Sequence, residues 1–339
     1  MKTIVYSTKC YEPAQFNACN NLAKHELVFS EEAFQPKTAG LASGAGAISI
    51  SIHDRIDSQT MQKLAAMGIR AIALRCAGFE NVDLESAAEH NIKVVRVPAY
   101  SPQSVAEHAV ALIMALTRKT NRAYNKTRNN DFSLEHLAGF TVYGKTVGVI
   151  GTGKIGTAFC KIMLGFGCKV VAFDIVESEE LKGSGVSYVS FDVLLRSSDI
   201  ISLHCPLTDE TYHLFNRESY NKMKPGSMLI NTARGAVIST LDTLSALKNG
   251  HLGYLGIDVY EWESGIFHVD WSEGIVKDDF LQILLSYSNV VVTPHQAFFT
   301  AEAIIQICQT TIDNLTELQN GHSLTNEVKA EEHTAFHKQ

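Results

Sequence analysis

Thr146-Val-Gly-Val-Ile-Gly151-Thr-Gly153-Lys-Ile-Gly156 sets the frame for the rest of this chain. Its apolar opening predicts a strand and runs straight into a G-x-G-x-x-G turn. Beyond the turn, Ile155, Ala158, Phe159 and Ile162 lie on one side of a predicted helix. A second apolar strand, 170–174, ends in Asp174, eighteen residues past Gly156. The glycine pattern alone is a weak signal, but strand, helix and acid together are the context in which it binds a dinucleotide. Gly151 permits the tight turn, Gly153 lets the backbone approach a pyrophosphate, and Gly156 lets the helix sit close to the strand. The phosphates would rest on the helix N-terminus, where N–H groups and the helix dipole favour anions. Asp174 would hydrogen-bond the ribose hydroxyls of NAD and repel a 2′-phosphate, so NAD is expected over NADP. The alternative is a plain strand–turn–helix whose glycines serve packing alone.

Outward from this motif the chain alternates strands and helices. Towards the C-terminus, strands are expected at 145–150, 170–174, 199–204, 227–232, 254–259 and 290–293, six in all, enough for a full dinucleotide-binding sheet. A last helix is expected over 300–318, able to pack back onto the first part of the chain. Towards the N-terminus, strands are expected at 3–7, 47–52, 71–74 and 93–97, with a helix over 58–67 that stops at Gly68. Strands separated by helices imply parallel sheets. Pro98 and Pro102 break the pattern before an alanine-rich apolar helix at 104–118, which suggests a domain crossover. The polar stretch 330–339 is expected to fray.

Composition narrows the function class. The chain has 339 residues, too many for one ordinary core, so two domains are expected. With 45% hydrophobic and 19% charged residues it reads as a soluble globular protein. A net charge of -7 argues against nucleic acid as a partner, since phosphate binding needs a basic face. It does not argue against a small anion, because one local arginine can override it. The seven cysteines form no C-x-x-C pair, so neither a metal site nor a disulfide framework is expected, and scattered thiols suit a reducing compartment. The opening Met-Lys-Thr-Ile-Val reads as a strand rather than a secretion signal. No apolar run is long enough to cross a membrane, so a cytoplasmic location is expected.

Three residues sit just past expected strand ends, where open α/β sheets bind ligands. They are Arg234 in Asn231-Thr-Ala-Arg-Gly235, Glu263 in Asp258-Val-Tyr-Glu-Trp-Glu263, and His295 in Thr293-Pro-His-Gln-Ala-Phe298. Reducing a 2-keto acid needs a hydride donor on one side and a proton donor at the ketone oxygen, where negative charge develops. His295 can give the proton, and Glu263 can orient the ring and favour its protonated form. Arg234 can grip the substrate carboxylate in a forked geometry that lysine cannot reproduce. Taken singly, each could be an ordinary surface or core residue; their shared position beside a nucleotide fold favours the chemical reading.

At these residues the chain resembles the D-isomer-specific 2-hydroxyacid dehydrogenase family, most closely its bacterial fermentative branch that reduces pyruvate. The resemblance runs from the opening strand to about Val328. It is carried by Arg75-Cys-Ala-Gly-Phe-Glu-Asn-Val-Asp83, Val94-Val-Arg-Val-Pro-Ala-Tyr100, Val105-Ala-Glu-His-Ala109, the run 143–156, Ile201-Ser-Leu-His-Cys-Pro-Leu207 and His295-Gln-Ala-Phe-Phe-Thr-Ala-Glu302. Departures are small: Glu80 stands where relatives often have asparagine, and Lys154 where some have histidine. The resemblance implies that Arg234, Glu263 and His295 are the catalytic set. It implies that the backbone of Ala77 and Gly78 holds the substrate carboxylate, with the Tyr100 hydroxyl near. It implies cofactor contacts from Lys154, Ile155, Asp174, Cys205, Pro206, Thr211, Thr232 and Asp258, with Cys205 acting through its backbone and Asp258 near the nicotinamide amide.

The fold class so expected is α/β: two doubly wound parallel-sheet domains with a cleft between them. A Rossmann NAD-binding domain, 101–298, is inserted into a flavodoxin-like substrate domain made of 1–100 and 299–339. The expected reaction is NADH-dependent reduction of pyruvate to D-lactate, reversible, with a small 2-keto or 2-hydroxy acid as the only partner besides a second copy of the chain. Tyr100, Phe298 and Phe299 are expected to crowd out long substrate side chains. One rival is a dehydrogenase for a bulkier 2-keto acid. Another is an NADH-sensing regulator on the same fold, against which the lack of a long interaction tail speaks. The helix 104–116 is uniformly apolar for a surface element and resembles the helix that pairs nucleotide domains in this family, so a homodimer or homotetramer is expected.

Overall fold

The structure, a computed structural model, describes residues 1–52 and 54–329; the expected fraying of 330–339 lies outside them. The chain divides into two compact units, 1–101 with 299–339, and 102–298.

Unit 1 begins with β1 (Lys2–Val5), α1 (Glu12–Cys19), β2 (Glu26–Phe29), β3 (Ala47–Ile50), α2 (Ser58–Ala66), β4 (Ala71–Leu74), α3 (Leu84–Glu89) and β5 (Lys93–Val95). The strands pair in parallel in the order β2-β1-β3-β4-β5, the flavodoxin-like winding. Strands β3 and β4 are buried at every position, as a sheet covered on both faces requires. The edge strand β2 alternates between exposed and half-buried residues, which is why its four-residue pattern is faint in the sequence. Strand β1 ends before the expected Ser7, whose φ of 51° leaves the extended region.

Unit 2 runs through α4 (Pro102–Arg118), α5 (Thr120–Arg128), β6 (Thr146–Ile150), α6 (Lys154–Gly165), β7 (Lys169–Phe173), α7 (Glu179–Gly183), β8 (Ser187–Tyr188), α8 (Phe191–Ser197), β9 (Ile200–Leu203), α9 (Arg217–Lys222), β10 (Ser227–Asn231), α10 (Thr240–Lys248), β11 (Leu252–Ile257), α11 (Asp279–Ser286) and β12 (Val290–Val292). Its seven parallel strands take the order β12-β11-β10-β9-β6-β7-β8, the dinucleotide-binding winding with one strand added at the β12 edge. Seven strands replace the six expected; the extra one, β8, has two residues and shows no periodicity. Helix α4 starts two residues earlier than expected, because a proline is tolerated in a first turn whose N–H groups have no intrahelical acceptor. Strand β11 likewise starts before Gly253, whose missing side chain lets the backbone pass Gly226: a Cβ there would meet the Gly226 carbonyl oxygen at 2.3 Å.

Helix α4 buries Ala106, Ala109, Leu112, Ile113 and Leu116 in the core that also holds Val147, Val149, Phe159 and Ile230. Much of its apolar character is therefore satisfied inside unit 2. The last helix, α12 (Ala301–Asn320), belongs to unit 1, where Cys308, Ile312 and Leu315 share a core with Val5, Phe16 and Ala73. All seven cysteines are free thiols. Among the described residues no helix is long and apolar enough to cross a membrane, and no group of acids, histidines and cysteines is arranged to hold a metal ion.

Candidate active site

Strand β6 delivers the chain into Gly151, whose φ is 87° and whose added Cβ would meet the backbone of His204 and Cys205 within 2.8 Å. Glycine is required there on both counts. Gly156 lies over the turn, and a Cβ would meet the Gly151 carbonyl oxygen at 2.0 Å. Gly153 caps α6, and its Cβ would meet nothing within 4 Å. The twelve-residue helix α6 thus presents its first N–H groups, at Lys154 and Ile155, beside an open cradle that a side chain at 153 would fill. The turn lies at the C-terminal end of β6, beside β9, where the sheet changes its winding direction.

Asp174 follows β7. Its Oδ2 accepts hydrogen bonds from the Thr152 N–H and from Thr152 Oγ1, and its Oδ1 accepts from the Val176 N–H at 3.2 Å. The Tyr188 hydroxyl donates to Thr152 Oγ1 at 2.9 Å, so β8, short as it is, helps fix the acid. Cys205 and Pro206 follow β9, and burial pushes the Cys205 thiol up to about 11, leaving it protonated and unreactive. Thr211 Oγ1 donates to the Pro206 carbonyl and accepts from the Thr208 N–H, so its hydroxyl shapes the loop after β9. Thr232, just past β10, has a buried hydroxyl with no hydrogen-bond partner among the described residues. That orphaned atom and the open cradle at Gly153 fit a bound dinucleotide.

Arg234, Glu263 and His295 lie beyond the C-terminal ends of β10, β11 and β12, three adjacent strands. His295 Nδ1 lies 2.7 Å from Glu263 Oε1, and Glu263 Oε2 accepts the Tyr260 N–H at 2.9 Å. Both side chains are about one-fifth exposed. The imidazole is therefore oriented by a carboxylate that is itself fixed to the backbone. Arg234 is half-buried, with Nη1 donating to the Ala233 carbonyl at 2.9 Å. The Asn231 side chain holds its loop by accepting from the Ala233 N–H and donating to the Arg234 carbonyl.

Asp258 does something that the sequence does not reveal. It is fully buried and clamps the His295 loop. Its carboxylate accepts from Thr293 Oγ1 at 2.5 Å, the Gln296 N–H at 2.9 Å and the Ala297 N–H at 2.8 Å, while its backbone carbonyl accepts the His295 N–H at 2.8 Å. His108 Nε2 lies 3.4 Å away. Burial alone would raise this carboxyl, but the hydrogen bonds from His108, Thr293, Gln296 and Ala297 outweigh it and hold it below the usual range. Held in this way, His295 takes φ 53°, a left-handed conformation uncommon for a side-chain-bearing residue and typical of functional loops. Its spacing from His295 gives no hint of the clamp, which depends on β11 and β12 being neighbours.

Ala77, Gly78 and Tyr100 belong to unit 1. The Ala77–Gly78 loop leaves the C-terminal end of β4. Arg96 Nη1 donates to the Ala77 carbonyl at 2.7 Å, and its guanidinium lies 5.0 Å from the centre of the Phe79 ring. The buried Arg75 is not available to a ligand: it pairs with Glu12 at 3.0 Å and donates to the Tyr6 carbonyl and Ser49 Oγ. Phe299, expected to crowd the substrate, packs edge-on against Tyr11 at 4.7 Å between ring centres.

Two parallel doubly wound sheets, a glycine cradle backed by an acid, and a carboxylate-oriented histidine define a nucleotide-dependent oxidoreductase. Residues 110–297 match the NAD binding domain of the D-isomer specific 2-hydroxyacid dehydrogenases. D-lactate dehydrogenase of Escherichia coli is 48% identical over 97% of this chain and 100% of its own length. The solved pyruvate reductase of Chlamydomonas reinhardtii superposes with a TM-score of 0.92 at 44% identity, covering 96% of this chain and 98% of that one. D-2-hydroxyisocaproate dehydrogenase gives 0.87 at 32%, covering 97% and 100%. The chain belongs to the D-isomer specific 2-hydroxyacid dehydrogenase family, and its cofactor is NAD.

The position of Asp174 predicts cofactor choice. Catalytic efficiency should be higher with NADH than with NADPH, and Asp174→Ala should narrow the difference. Equal efficiencies with the two cofactors in the unaltered protein would contradict this role.

Proposed function

We propose that this protein reduces pyruvate to D-lactate with NADH, reversibly, and that Arg234, Glu263 and His295 are its catalytic set. The observation that carries the proposal is the 2.7 Å His295–Glu263 pair held past β11 and β12 in the dinucleotide-binding unit. The pyruvate reductase and D-lactate dehydrogenase relatives support the substrate.

Gly151, Gly153, Gly156 and the N–H groups of Lys154 and Ile155 would hold the dinucleotide phosphates, and Asp174 its ribose hydroxyls. Cys205, Pro206, Thr211, Thr232 and Asp258 are proposed as further contacts. When bound, NADH supplies the hydride. Arg234 binds the substrate carboxylate in a fork, and in unit 1 the same role is proposed for the Ala77 and Gly78 backbone and the Tyr100 hydroxyl. With Nδ1 committed to Glu263, His295 holds the transferable proton on Nε2 and gives it to the ketone oxygen as negative charge develops there. In lactate oxidation the same nitrogen takes the proton back.

A panel of 2-keto acids tests the substrate. Pyruvate should exceed branched and aromatic keto acids in kcat/KM. A clear preference for a branched acid would move the assignment towards the substrate class of D-2-hydroxyisocaproate dehydrogenase. We also propose a homodimer or homotetramer: on α4, Val110, Met114 and Ala115 are only half-buried and Ala111 is exposed. Light scattering at micromolar concentration should give at least twice the chain mass, and a monomeric mass would refute assembly.

A further inference from the structure

A second histidine–glutamate pair lies beside the first. His213 Nε2 is 2.6 Å from Glu261 Oε1, and the Glu261 side chain is 9% exposed. Glu261 stands two residues before Glu263 on the segment that follows β11. Its other oxygen accepts the Thr240 N–H at 3.1 Å, at the start of α10. The pair therefore spans the short strap 235–240 that carries the chain from Arg234 into α10.

The strap is fixed at several further points. The His213 N–H donates to the Ala236 carbonyl at 2.9 Å, and the Phe215 N–H donates to the Val237 carbonyl at 3.1 Å. The Ser239 N–H returns a bond to the Phe215 carbonyl at 2.8 Å. Gly235 lies against the backbone of 260–261, where a Cβ would meet Tyr260 and Glu261 within 2.5 Å. His213 itself takes φ 48°, which turns its backbone N–H onto the strap while its ring reaches Glu261; the Tyr212 ring stacks on it at 4.0 Å. One four-residue segment, 260–263, thus carries two carboxylates with parallel duties: Glu263 orients the His295 ring, and Glu261 holds the strap behind Arg234.

We infer that His213 and Glu261 are positioning residues for Arg234, setting where its guanidinium stands relative to the His295–Glu263 pair. The inference rests on the proposed role of Arg234 as the carboxylate grip. Glu261→Ala leaves two donors, the Thr240 N–H and the His213 ring, without their acceptor, and frees the strap to move. A displacement of about 1 Å at a binding group far from the chemistry can reduce rate about a hundredfold. The effect should fall mainly on pyruvate: Thr211 and Thr232 flank the strap, but the phosphate cradle lies beyond β6, two strands from β10, and Asp174 beyond β7.

The test is a double-mutant cycle between Glu261→Ala and Arg234→Lys in the full-length protein, with kcat and KM for pyruvate and NADH affinity by fluorescence titration. Glu261→Ala should reduce kcat/KM for pyruvate about tenfold to a hundredfold, mainly through KM, with NADH affinity within about twofold of the parent. Arg234→Lys should lower pyruvate efficiency by itself, and adding Glu261→Ala to it should lower it little further. Glu261→Gln, which keeps one acceptor, should recover part of the loss. Should Glu261→Ala fail to fold, His213→Ala, whose ring is about one-third exposed, carries the same expectations. The inference is overturned if kcat/KM for pyruvate stays within about twofold of the parent in the folded variant, or if the two losses are fully additive. If Arg234→Lys leaves pyruvate efficiency unchanged, the role of Arg234 falls and the inference with it; if only Glu261→Ala is silent, the role of Arg234 stands alone.

Discussion

Replacing His295 by glutamine is expected to lower pyruvate turnover by about a hundredfold to ten-thousandfold, the usual contribution of a positioned general acid. Hydride arrival at the carbonyl carbon leaves negative charge on oxygen, and glutamine can donate a hydrogen bond to it but cannot give up a proton at neutral pH. NADH affinity should barely change, because the Gly151–Gly156 turn, Asp174 and the further proposed contacts, Asp258 included, are all left in place, and the His295 ring is not among them. Glu263→Gln should act through the same ring by another route. Loss of the carboxylate 2.7 Å away removes the charged partner that fixes the orientation of the ring. Turnover should then fall by up to about a hundredfold, the usual cost of a misplaced catalytic group. Near-normal turnover in either His295→Gln or Glu263→Gln would defeat the assignment.

The second large effect is expected at the glycine turn, where two neighbouring glycines should fail in different ways. In Gly156→Ala the new Cβ meets the Gly151 carbonyl oxygen at 2.0 Å, a backbone atom that cannot swing aside. Overpacking of a core typically costs about 1–3 kcal/mol, and a backbone-on-backbone contact belongs at the upper end. Chemical denaturation should show unit 2 destabilised by about 3 kcal/mol, with NADH binding lost alongside. In Gly153→Ala the Cβ meets nothing and φ is an ordinary -62°, so stability should be nearly unchanged. Its methyl group would still fill the phosphate cradle, and NADH affinity should fall at least about tenfold, equivalent to about 1.4 kcal/mol. Equal stability of the two variants, or unaltered NADH binding in Gly153→Ala, would show that the two glycines do not divide the work in this way.

How much of this could be read in the sequence depends on the range of each interaction. Buried parallel strands such as β4 and β10 announce themselves as short apolar runs, and the glycine motif carries its own context. The faint elements are those whose sequence is not dictated by a core. Strand β2 lies at an edge, β8 has two residues, and α5 buries no residue at all. Arg234, Glu263 and His295 could be singled out because each follows a recognisable strand. Their supports could not. Asp258 grips Thr293, Gln296 and Ala297 across more than thirty residues of sequence, and Glu261 meets a histidine 48 positions earlier. Such pairs exist only because the winding of the sheet brings those loops together, and nothing in local spacing marks them.

The handedness of the product tests the central claim most directly. Purified protein, given NADH and pyruvate, should oxidise NADH in step with lactate formation, and chiral analysis should find the D-isomer. No turnover of pyruvate, or formation of L-lactate, would contradict the account.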